Sequence, residues 1–261
     1  MTALLVLAIL SADEPSCDSA DECRTHCEAG ELEACTAQAR MLIDDDHRAE
    51  GMRIYERVCR LKAVSACDGL AYQLTLSGNE AEQTRAIALY SETCSRDDAL
   101  GCTNAALVLN DLPGAEVKTA ELADKGCKLG DFYACNLLAG MYSQGKGVAK
   151  SEERAVSLWS QACDGDQRDA CFELALYFSR QDDRNAHHRA VTLLSAACDD
   201  EDAFACFELS AMVRKGRGTR RDRLKAGQLT GRACSLQYAP ACPRGVVPDE
   251  QPEPEDETGT P

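Results

Sequence analysis

Along this chain apolar residues fall into two alternating stripes of helical period. One stripe holds Ile54, Leu89, Leu122, Leu158, Leu193 and Leu229, followed directly in most cases by a second apolar residue such as Tyr55, Tyr90, Trp159 or Leu194. One helical turn earlier stand Gly51, Ala86, Thr119, Ala155, Ala190 and Ala226, and this spacing puts them on the same face. Small residues there would let a second helix approach closely. The other stripe holds Leu70, Ala105, Leu138, Leu174 and Leu209, each followed by Ala or Ser, with Leu74, Leu109, Tyr142, Phe178 or Val213 one turn later. Each unit therefore reads as helix A, a loop of variable sequence, and helix B. The first stripe, on helix B, restarts at steps of 35, 33, 36, 35 and 36 residues, the signature of a helical-hairpin repeat array. The fold class expected is all-α, an α/α solenoid or superhelix of such hairpins.

Fourteen of the sixteen cysteines form seven pairs whose partners stand eight residues apart: Cys27 and Cys35, Cys59 and Cys67, Cys94 and Cys102, Cys127 and Cys135, Cys163 and Cys171, Cys198 and Cys206, Cys234 and Cys242. On one continuous helix such partners would lie about 12 Å apart. A disulfide needs Cα atoms within roughly 4.4–6.8 Å, so bridged pairs require the chain between them to turn back. Glu28-Ala29-Gly30, Lys128-Leu129-Gly130-Asp131 and Asp164-Gly165-Asp166 carry helix-stopping residues at the right places. The pairs predict a staple from each helix B to the next helix A, and an oxidising compartment. Cys17 and Cys23 precede the series and are expected to bridge each other in an N-terminal cap. The alternative there is a metal site of Cys17, Cys23, His26 and Cys27, which would leave Cys35 unpaired.

The loop inside the fourth unit reads Tyr142-Ser143-Gln144-Gly145-Lys146-Gly147-Val148, and the sixth keeps the glycines as Lys215-Gly216-Arg217-Gly218-Thr219. From Ala134 to Cys163 the order Ala-Cys-x-x-Leu-Ala, Tyr-x-x-Gly-x-Gly-Val, Arg-Ala-x-x-Leu-Trp, Ala-Cys resembles a Sel1-like repeat. With its cysteine pairs the chain is similar to the Helicobacter cysteine-rich protein family over roughly residues 20–243. The first, second, third and fifth units lack the glycine loop, and a tetratricopeptide array is the alternative fold. The resemblance implies a scaffold for protein–protein or protein–peptide interaction. It also implies penicillin binding or weak β-lactam hydrolysis as an alternative, and some cysteine-bearing Sel1 relatives imply an assembly factor of an oxidising organelle space.

Composition sharpens this picture. A formal net charge of -16 argues against a general nucleic-acid partner. Residues 1–12 form a short apolar, signal-like run without Lys or Arg, which predicts export to the periplasm or outside the cell. No other segment is apolar enough to span a bilayer. Residues 13–32 are expected to cap the array, 33–243 to hold about six repeats and a C-terminal cap, and 244–261 to form an acidic, proline-rich disordered tail.

Several motifs resemble chemistry. Gly140 to Lys146 matches most of a phosphate-binding loop, but Gly147 stands where Ser or Thr would hold magnesium. Ser143 and Lys146 match S-x-x-K, whose chemistry needs the Ser at a helix start together with K-T-G and S-D-N partners; Lys118-Thr119-Ala120 only approximates the former. His187-His188 lacks Glu or Cys at ligand spacing and reads as a solvated helix face. No catalytic residue, metal site or cofactor is called for. The strongest local anomaly is basic: Arg214, Lys215, Arg217, Arg220, Arg221, Arg223 and Lys225 place seven cations within twelve residues, a docking site for an anionic ligand or an exposed loop that balances the acidic tail. A second candidate surface is the open face of the A helices, where Asp68, Thr103, Asn104, Asn136, Phe172, Glu173, Phe207 and Glu208 would meet a protein or peptide.

Overall fold

The structure is a computed structural model that describes residues 17–242. The signal-like run and the acidic tail lie outside the described residues. Within them there is no strand; thirteen α-helices follow one another. The chain divides into two compact units, with the boundary after Gly165. The first holds α1 (Ala20–Glu28), α2 (Leu32–Asp44), α3 (Arg48–Arg60), α4 (Val64–Thr75), α5 (Glu80–Ser95), α6 (Ala99–Asn110), α7 (Glu116–Lys128), α8 (Phe132–Gln144) and α9 (Glu152–Asp164). The second holds α10 (Arg168–Arg180), α11 (Arg184–Asp199), α12 (Ala203–Lys215), α13 (Arg223–Ser235) and a short 3-10 turn, Ala239–Ala241.

The hairpins close because their small residues meet. Ala39, Ala71, Ala106, Ala139 and Ala175 on the A helices are buried, as are Gly51, Ala86, Thr119, Ala155, Ala190 and Ala226 on the B helices. A Cβ on Gly51 of α3 would stand 2.5 Å from the Ala39 carbonyl oxygen on α2. Larger apolar side chains such as Leu70, Leu74, Val58 and Tyr90 fill the space between these approaches.

The corners between one B helix and the next A helix share one local design. Three residues after the first cysteine of each pair the chain takes positive φ, at Gly30, Lys62, Asp97, Gly130, Asp166, Glu201 and Gln237. The following residue both ends one helix and begins the next. At the fourth corner the Asp131 N–H donates to the Gly126 carbonyl at 3.0 Å, a Schellman closure. Its side chain then accepts from the Tyr133 and Ala134 N–H groups and caps α8. Asp98 and Asp202 cap α6 and α12 in the same way. The second cysteine lies one turn into the new helix, so Cα atoms eight residues apart come within 4.5–4.8 Å. Cys17 bonds Cys23 across 5.1 Å between Cα atoms. Cys163 and Cys171 are likewise disulfide-bonded, and no described cysteine is free.

Candidate functional site

Of the residues expected on the open face of the A helices, Glu173 is exposed, and Asn104, Asn136, Phe172, Phe207 and Glu208 are half-buried. Asp68 and Thr103 belong elsewhere: they are 6% and 0% exposed. The Asp68 carboxylate accepts a hydrogen bond from the Thr93 hydroxyl of α5 at 2.8 Å, and the Thr103 hydroxyl donates to Ala99 in its own helix. Gly101 makes room for this cluster, since a Cβ there would meet the Thr93 hydroxyl at 2.0 Å. Burial, and then the negative charge of Asp98, push the Asp68 pKa up to about 7.

In the second unit the half-buried aromatics form a row. The rings of Phe172 and Phe204 lie 5.1 Å apart, those of Phe204 and Tyr238 5.3 Å apart, and those of Phe207 and Tyr238 5.3 Å apart, all tilted. Such pairs contribute roughly 0.5–1.5 kcal/mol each beyond area burial. The sequence pattern singled out Phe172 and Phe207 but missed Phe204 and Tyr238; the cue was available for Phe204, which stands one turn before Phe207 on α12. Phe204 and Tyr238 line a cleft of about 760 Å³ together with Leu193, and five acidic residues (Asp166, Asp169, Asp200, Glu201 and Asp202) outnumber Arg168 around it. An apolar floor under an acidic rim suits an apolar side chain flanked by basic ones.

The glycine loops are brackets between successive hairpins. Gly145, Gly147, Gly216 and Gly218 all have positive φ. A Cβ on Gly147 would lie 2.2 Å from the Glu116 carbonyl oxygen at the start of α7, and one on Gly218 would lie 2.1 Å from that of His187 on α11. Lys146 donates to the Asn110 carbonyl and side chain at 3.1 and 3.0 Å. The His187-His188 pair is more than a solvated face. His188 Nδ1 stands 2.8 Å from the Gly218 carbonyl oxygen, and His187 Nε2 is buried without a hydrogen-bond partner. Around this bracket Arg184, His188, Arg217 and Arg220, with Asp182 and Asp183, line a cavity of about 850 Å³. Arg220, Arg221, Arg223, Lys215 and Lys225 are exposed, and Arg214 donates to the Thr230 hydroxyl at 3.2 Å.

The remaining motifs are not assembled into a site. The Ser143 hydroxyl donates to Gly140 in its own helix at 2.9 Å, while Lys146 is engaged by Asn110. Thr119 is buried with its hydroxyl on the Ala115 carbonyl, and Lys118 pairs with Glu121. The alternative metal set of Cys17, Cys23, His26 and Cys27 is overturned, because these sulfurs are spent in the Cys17–Cys23 and Cys27–Cys35 bonds. Among the described residues no cluster of three or more potential ligands is placed to hold a metal ion, and no helix is long and apolar enough to cross a membrane.

Tandem helix hairpins stapled at their corners by disulfides and bracketed by glycine loops define a repeat scaffold of the α/α solenoid class. Residues 132–166, 168–202 and 203–238 match the Sel1 repeat model, and the chain carries Sel1 repeats. It is 31% identical over 110 residues to cytochrome c oxidase assembly factor 7A of Xenopus laevis, covering 40% of this chain and 48% of that protein. The chain thus spans about half the length of the curated relatives it matches. Among solved structures it is similar to c5321, a protective antigen of uropathogenic Escherichia coli with an SLR fold, at TM-score 0.74 and 20% identity over 85% of this chain and 50% of that one. A Sel1 repeat protein from Oxalobacter formigenes matches at TM-score 0.63 and 16% identity, covering 78% of this chain and 85% of that one. At these identities the likeness shows the fold alone. Helicobacter pylori cysteine rich protein B is also similar, at TM-score 0.28 and 21% identity over 63% of this chain and 96% of that one.

Proposed function

We propose that this chain is an exported interaction scaffold that binds a peptide segment of another protein on the open face of α10 and α12. The aromatic row from Phe172 through Phe204 to Tyr238 and Phe207, floored beside an acidic-rimmed cleft, carries the reading. The rings supply apolar area at low entropy cost, and the carboxylates select a basic flank. Paired cysteines support a working place under oxidising conditions, and the apolar run at residues 1–12 supports export.

Peptides selected against the full chain from a random library are expected to hold an aromatic or aliphatic residue beside Lys or Arg. Phe204→Ala and Tyr238→Ala should weaken them about tenfold or more by calorimetry, the scale of a truncated anchor. Peptides indifferent to both changes would remove the reading. A second reading, an assembly factor acting on a respiratory complex, is favoured by the identity with cytochrome c oxidase assembly factor 7A. Normal oxidase assembly in cells that lack this chain would dispose of it.

A further inference from the structure

We propose that the acidic segment Asp249–Glu257 of this chain is the occupant of the basic loop between α12 and α13, where it acts as an intramolecular cover. Three observations meet here.

The first is an unmatched charge. Elsewhere on this acidic chain some exposed cations find carboxylates: Arg85 pairs with Glu56, Lys125 with Asp97, Lys128 with Asp124 and Lys62 with Glu92. Yet none of Lys215, Arg217, Arg220, Arg221, Arg223 or Lys225 takes part in a salt bridge among the described residues. Two of them, Arg217 and Arg220, line a cavity of about 850 Å³ with Arg184 and His188, where the acids present are Asp182 and Asp183. The dipole at the start of α13 adds to the same sign.

The second is complementarity. Asp249, Glu250, Glu253, Glu255, Asp256 and Glu257 place six carboxylates within nine residues of the same chain, and in that stretch there is no cation.

The third is reach. Cys242 is tied to Cys234 near the end of α13, with Cα atoms 4.8 Å apart. The basic loop lies at the other end of that helix, whose thirteen residues span about 20 Å. Residues 243–248 cover about 20 Å when extended. Extended along the helix, this stretch is long enough to bring the first carboxylates to the loop. A tether of this length holds them near it at an effective concentration of about millimolar, which compensates for the weakness of single exposed ion pairs. The aromatic cleft and the loop have no lining residue in common, so this inference stands apart from the peptide reading.

Zero-length carbodiimide cross-linking of the full chain at low ionic strength tests it. Links from Lys215 or Lys225 to Glu250, Glu253, Glu255 or Glu257 are expected in the monomer. They should vanish in about 1 M salt, where the screening length falls to about 3 Å. They should also vanish when all six acids are changed to amides. Formation of the Lys128–Asp124 link without any tail link would overturn the proposal. So would tail links confined to covalent dimers, which would assign the surface to a second copy. As an independent readout, a decameric glutamate peptide should bind the amide variant about tenfold tighter than the unaltered chain, because the cover competes with it. Equal affinity for both would mean that the loop is open to external anions, and the proposal would fail.

Discussion

The Asp68 carboxyl sits between α4, α5 and the cap of α6, where burial and then Asp98 raise its pKa from 3.8 to about 7, against the Thr93 hydroxyl and Arg96, which act the other way. For an acid with a raised folded pKa the neutral form suits the fold. Between pH 4 and pH 7 the folded chain holds a proton that the unfolded chain has lost, so this group makes stability fall as pH rises. The full effect is on the order of a few kcal/mol, since each pKa unit corresponds to about 1.4 kcal/mol. Asp68→Asn is expected to raise the urea midpoint at pH 8 and to leave it nearly unchanged at pH 4. A gap between the two proteins that stays constant with pH would show that Asp68 ionises as an ordinary carboxyl. Nothing in the local pattern marked Asp68 as buried, because it follows Cys67 in the same register as the exposed Glu173's neighbour Phe172 follows Cys171. What differs is the neighbour: Gly101 leaves the space into which Thr93 and Asp68 turn.

Corners and brackets are the elements that set the hairpins in register. The stops at Gly30 and Gly130 were legible as glycines, and both take positive φ. Lys62, Asp97, Glu201 and Gln237 adopt the same left-handed conformation without a glycine, because the staple and the Schellman closure hold it. In Asp164-Gly165-Asp166 the left-handed residue is Asp166; Gly165 is needed because a Cβ there would strike the Phe132 ring at 2.2 Å. The glycine loops follow a similar logic. Gly147→Ala would put a methyl against the Glu116 carbonyl in a conformation that already favours glycine, and is expected to cost about 2 kcal/mol or more. Gly140→Ala, in mid-helix with nothing within 4 Å of the new methyl, should stabilise by roughly 0.5–1 kcal/mol. Thermal melts of the two variants should move in opposite directions; movement in the same direction would mean that the loop is not a bracket.

Across the whole molecule, stability is distributed from repeat to repeat rather than drawn from one centre. Each corner disulfide closes a short loop and contributes about 2–3 kcal/mol by the chain-entropy estimate. Replacing Cys94 and Cys102 together by Ala is therefore expected to speed amide exchange in α5 and α6 first and to leave α12 and α13 unchanged. Uniform loss of protection would indicate one cooperative core instead. The repeat period, the hairpins and the cysteine pairing were determined by the sequence itself. They depend on spacings within eight residues or on helical periodicity, and such local rules decide where a helix turns and which side is apolar. The tertiary structure alone decided that Asp68 and Thr103 are enclosed, that Phe204 and Tyr238 complete the aromatic row, and that Gly147 and Gly218 press on the preceding hairpin. These depend on what stands opposite a side chain, and that is set by how closely a neighbouring helix can approach, a quantity that belongs to the packed pair and to neither strip of sequence.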